Sequence, residues 1–111
     1  MIDHWRIVVV TSGFGLWHGS RCIGAARWSD VAKIRASKGD LETPNAVCLT
    51  IHMADGSTLE MHRNVPGWAE FATAAHDRLP GMLAPREWLA DVVAPSFDAN
   101  EMVLFERRQR K

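Results

Sequence analysis

The chain has 111 residues, enough for one domain of ordinary size and too few for two. Thirteen Lys/Arg balance thirteen Asp/Glu, so no net field draws the chain toward nucleic acid or an anionic membrane. With 47% apolar residues and no low-complexity tract the composition excludes a disordered chain, and no apolar run approaches the roughly 20 residues a membrane span requires.

The first thirteen residues lack a basic segment followed by a long apolar core, so no secretory leader is read and a cytoplasmic location is expected. Cys22 and Cys48 form no CxxC motif and are expected as reduced thiols.

Residues 6–11 are rich in β-branched side chains and read as a strand. Ser12 to Gly15 read as a turn, and residues 16–28 as one or two strands broken at Gly19-Ser20. Residues 28–34 fit either a short helical turn capped by Ser29 or Asp30, or a bent strand. Residues 38–45 form a polar loop.

The segment 46–63 carries the clearest local signal, a hairpin. Val47, Leu49, Ile51 and Met53 alternate with Cys48, Thr50 and His52, and Leu59 and Met61 alternate with Thr58, Glu60 and His62. A two-residue Asp-Gly loop would set Ile51 opposite Glu60 and mix the faces. A three-residue loop, Ala54-Asp55-Gly56, pairs Ile51 with Leu59, Leu49 with Met61, Thr50 with Glu60 and Cys48 with His62. Because a one-residue slip flips a whole strand, matched faces select the second register, with Gly56 left-handed in a bulge.

Trp68, Phe71, Ala72, Ala75 and Leu79 then follow a helical stripe, with Asn64 as the cap, Pro66 in the first turn and Pro80-Gly81 as the stop. A shorter helix starts near Pro85, buries Trp88, Leu89, Val92 and Val93, and ends before Pro95. Residues 102–105 read as a last strand, and residues 107–111 as a basic tail. The expectation is one α+β domain over residues 1–106. Successive strands without intervening helices favour a strongly bent antiparallel sheet or small barrel, packed by the Trp68 helix.

The succession of Trp28-Ser29-Asp30-Val31, Ile34, Asp40, Thr43, Asn45, the Asp55-Gly56 hairpin, Pro66-Gly67-Trp68, Leu79-Pro80-Gly81, Trp88, Pro95, Phe97 and Asn100 resembles a group of small uncharacterised bacterial proteins. The resemblance covers about residues 28–107 and implies a pleckstrin-homology-like barrel, a fold that mostly binds peptides, proteins or lipid head groups. The chain departs from that pattern in having a helix and a strand after Pro80.

No motif announces catalysis. There is no GxSxG elbow and no HxxxH pair, and Gly13 to Gly19 misses the GxGxxG spacing by one residue. Cys48 and His62, with His52 on the same strand face, could contribute to a zinc site if Cys22 lay on an adjacent strand. The plainer reading is a half-exposed polar sheet face with an inert thiol, so no cofactor is expected. The tail lacks the interleaved aromatics of a nucleic-acid platform. Trp28, Trp68 and Trp88 belong to the core, whereas Trp5 and Trp17 stand beside polar or flexible residues and are candidate binding anchors. Asp40 and Glu42, beside Lys38, are charged candidates for a binding contact, with solvated surface as their ordinary role. The expected function is a non-catalytic binding module for a protein or peptide partner. Near-zero net charge makes a second copy of the chain one such partner.

Overall fold

The computed structural model describes residues 4–38, 47–93 and 102–107. β1 (Trp5–Val10), β2 (Gly13–His18) and β3 (Arg21–Arg27) form an antiparallel meander. The turn expected across Ser12 to Gly15 is shorter than that. β2 already begins at Gly13, which sits against the Ala26 carbonyl of β3 where a Cβ would not fit.

β3 does not continue into a hairpin. A single 3-10 turn, Trp28–Asp30, redirects the chain into β4 (Val31–Lys38), which belongs to a second sheet. The turn is anchored from both sides. The Trp28 N–H donates to the Ser12 carbonyl at 3.1 Å, and the Asp30 carbonyl accepts from Ala54 N–H at 2.8 Å. The Trp28 ring is buried among Phe14 and Phe71. Both sequence readings of residues 28–34 were therefore half right, a turn first and a strand after it.

The second sheet has the order β6-β5-β4-β7, with β5 (Val47–Met53), β6 (Thr58–His62) and β7 (Met102–Glu106), all antiparallel. The strands thus make two sheets, of three and four strands, and not one bent sheet or a closed barrel. The physical cause is the buried Trp28 corner, which turns the chain out of the first sheet.

The 47–62 hairpin has the expected register: Cys48 opposite His62, Leu49 opposite Met61, Thr50 opposite Glu60 and Ile51 opposite Leu59. Its loop is closed by Gly56 N–H to the Met53 carbonyl at 3.0 Å, and Gly56 is left-handed at φ 93°. Leu49, Ile51 and Met61 are fully buried on one face, together with Ile34 and Ala36 of β4.

α1 (Trp68–Arg78) buries Trp68, Phe71, Ala72 and Ala75 of the sequence stripe, while Leu79, its last member, is the extended C-cap and is also buried. Its N-cap is Gly67 at φ 94°, not Asn64, and no side chain caps it. Tertiary contact decides this start. Ile7 N–H donates to the Pro66 carbonyl at 2.8 Å, and a Cβ on Gly67 would strike the Ile7 carbonyl. The helix is thereby fastened to β1. α2 (Pro85–Val93) starts at Pro85 as expected, where Glu87 reaches back to the Ala84 N–H at 2.8 Å, half of a capping box. Trp88 and Val92 are fully buried, and α2 packs over β4. No helix among the described residues is long and apolar enough to cross a membrane.

Arg107, assigned from sequence to the tail, is tied into the fold. Its Nε donates to the Val31 carbonyl at 2.9 Å and its Nη2 to the Trp28 carbonyl at 3.2 Å, across the corner between the sheets. Residues 108–111 lie outside the described residues.

Two expectations follow for stability. Phe71→Ala should lower the unfolding free energy by about 3–5 kcal/mol in urea titrations, whereas Val103→Ala, at an exposed position of β7, should stay within about 0.5 kcal/mol. At the hairpin tip, the Ser57 hydroxyl donates to Asp55 at 2.6 Å and the Ser57 N–H at 2.9 Å, which holds the Asp55 carboxyl below its ordinary value. The stabilisation from a carboxyl depressed in the folded state is present above its unfolded pKa and is lost as pH falls through the folded one. A carbon-detected NMR titration should give Asp55 a midpoint below that of a model peptide, and Ser57→Ala should raise it.

Candidate functional site

β6 ends its sheet, and among the described residues it pairs only with β5. Met53 N–H to the Ser57 carbonyl (2.8 Å) and Arg63 N–H to the Val47 carbonyl (2.9 Å) fix the phase of the ladder. Antiparallel alternation then turns the backbone groups of Leu59 and Met61 toward β5 and those of Thr58, Glu60 and His62 outward. Of the outward groups the His62 carbonyl is taken by Val65 N–H at 3.0 Å.

β3 is the corresponding end strand of the first sheet. Gly24 of β3 lets the two strands approach, since a Cβ there would lie 2.9 Å from Leu59 Cδ1. Beside this contact opens a cleft of about 450 Å³, lined by Trp5, Leu16, Ile23, Leu59 and Val65 with Thr58, Glu60 and His62 as its polar side. The volume falls within the range of small-ligand and side-chain pockets. Ile23 is 44% exposed, unusual for a large apolar side chain on a strand. It is the extra residue at a bulge, where the β2–β3 pairing shifts between Leu16 and Trp17. Bulges re-aim side chains at sheet edges, and this one turns Ile23 into the cleft.

The structure separates the two tryptophans named as anchors. Trp5 lies on the core side of β1 and lines the cleft, its ring 4.7 Å from that of His18. Trp17 lies on the opposite face of the same sheet, its ring over Gly15 and 5.4 Å from the Arg6 guanidinium. Asp40 and Glu42 lie outside the described residues.

The polar face of the hairpin also rearranges the sequence-derived ligand set. Cys48 and His62 are opposite each other in a non-hydrogen-bonded pair, the kind in which facing side chains come closest. The third member is Glu60, not His52: potential ligand atoms of Cys48, Glu60 and His62 all lie within 4.8 Å of one another. His52 is opposite Thr58 and Lys33, and its Nε2 accepts from Arg35 Nε at 3.1 Å. Its lone pair there is engaged by a cation. Cys22 sits in the other sheet opposite Trp17 and does not join the group.

Sequence reading missed Leu16, Ile23, Leu59, Val65 and Glu60 as site residues. Leu59 reads as ordinary core alternation, Val65 falls between the hairpin and the helix with no pattern of its own, and the local cue to a bulge at Ile23 is the neighbouring Gly24. Glu60 was legible in principle, being two residues before His62 and hence on the same strand face.

The burial of the two thiols differs sharply, Cys22 exposed and Cys48 only 5% exposed. A bulky aromatic disulfide reagent should modify Cys22 within the mixing time and Cys48 only after denaturant is added. Cys22→Ser should remove the fast phase alone. Comparison of the chain with protein-family models, with curated proteins and with solved structures finds no match, so its reading rests on this geometry.

Proposed function

We propose that the chain is a non-catalytic binding module that takes an extended segment of a protein partner along the β6 edge. The observation that carries this reading is the outward-facing backbone of Thr58 and Glu60 beside a cleft floored by Trp5, Leu16, Leu59 and Val65. An added strand would hydrogen-bond to the edge through its main chain. Alternate side chains of that strand would enter the cleft, with Ile23 and Trp5 as apolar anchors. Such recognition requires no special residue types, which accords with a sequence lacking catalytic motifs. The same edge would serve a second copy of the chain.

The likeness to pleckstrin-homology-like proteins belongs to the same proposal. It is supported by two antiparallel sheets of three and four strands with an amphipathic helix against them, and such modules mostly bind peptides, proteins or lipid head groups.

The test is selection of displayed random peptides on the immobilised full chain, followed by amide hydrogen exchange of the complex. Selected peptides should alternate apolar and polar residues, and binding should protect the Thr58, Glu60 and His62 amides. Ile23→Asp, at an exposed position, should weaken binding at least about tenfold while the melting temperature is kept. Protection confined to β1 and β2, or binding indifferent to Ile23→Asp, would remove the β6 edge as the site.

A further inference from the structure

We propose that Cys48 Sγ, the Glu60 carboxylate and the His62 imidazole form a transition-metal site, with Zn²⁺ the ion that best fits them. This goes beyond the binding-module reading, and its test involves no partner. Three observations converge on it.

The donor set is the first. A thiolate, an imidazole and a carboxylate are the ligand types of zinc, and the thiolate disfavours the hard cations Mg²⁺ and Ca²⁺. Placement is the second. The pairing of β5 and β6 puts Cys48 directly opposite His62, and Glu60 is two residues along the same face. Potential ligand atoms of the three lie within 4.8 Å of one another, and His62 Nε2 is already 3.7 Å from Glu60 Oε1. Tetrahedral zinc holds such atoms about 3.2–3.8 Å apart, so a closure of about 1 Å completes the set.

The third is the division of rigidity and access. Cys48 is on a strand hydrogen-bonded on both sides and is nearly buried, which fixes the soft ligand. The side chains of His62 and Glu60 are 51% and 63% exposed and retain the rotamer freedom needed to close on an ion. His52, bonded by Arg35, is outside the set. Three protein ligands leave one tetrahedral position for water. Glu60 and His62 also line the cleft beside β6.

The experiment uses the untagged full chain, stripped with chelator, held under reductant and titrated with Co²⁺. Equimolar binding with a thiolate-to-cobalt charge-transfer band, displaced by Zn²⁺, is the expected result. Cys48→Ser should abolish the band. Glu60→Gln and His62→Ala, at exposed side chains that leave the fold intact by circular dichroism, should each weaken Co²⁺ binding about tenfold or more. His52→Ala and Cys22→Ser should leave band and affinity unchanged. Absence of the band, its persistence in Cys48→Ser, or unaltered affinity in both the Glu60 and His62 variants would overturn the site.

Discussion

The architecture depends on three aromatic rings. Phe14 of β2, Trp28 of the 3-10 turn and Phe71 of α1 meet with centroids 4.8, 4.9 and 5.8 Å apart, and all are buried. Each such pair is worth about 0.5–1.5 kcal/mol beyond the area it removes from water. Their larger effect is directional. Burying Trp28 requires the chain to leave the first sheet after Arg27, and Phe71 then seats the helix over the junction. Arg107 closes the same corner from the far end of the chain by donating to the carbonyls of Trp28 and Val31.

From that corner the location of the cleft follows. α1 is fastened to β1 at Pro66-Gly67, and α2 lies over β4. Among the residues lining the cleft where β3 and β6 end their sheets, none belongs to α1 or α2. The sheets approach there through Gly24 and Leu59 without joining their ladders among the described residues. An edge strand left in this way exposes unpaired backbone groups, a hazard for aggregation and equally a template for recognition. The charged Glu60 and the imidazole of His62 on β6 suit both roles, since they discourage indiscriminate pairing and offer polar groups to a chosen ligand.

The hairpin connects this edge to chemistry. Hydrogen-bonded pairs at Leu49–Met61 and Ile51–Leu59 turn their side chains to the core side, where Leu49, Ile51 and Met61 are fully buried and Leu59 partly so, and the closer, non-hydrogen-bonded pairs fall on the polar face. Cys48 and His62 occupy one of those close pairs. Had the loop been one residue shorter, the faces would have mixed and Cys48 would have lost His62 as its neighbour. A turn at Gly56 thus sets the geometry of a side-chain cluster several residues away.

Local pattern alone determined the hairpin register, the stripe of α1, the start of α2 at Pro85 and the Cys48–His62 pairing. Each rests on alternation or periodicity within one or two neighbouring elements, where a wrong choice would expose apolar side chains at once. The tertiary structure decided the rest. It split the strands into two sheets at Trp28 and moved the α1 cap from Asn64 to Gly67 through contact with Ile7. It also put Trp5 and Trp17 on opposite faces of the first sheet, gave His52 to Arg35 and brought Ile23 to the cleft. These outcomes depend on which distant surfaces meet and on a bulge at Ile23. Packing energies between elements far apart in sequence choose among arrangements that local propensity leaves nearly equal.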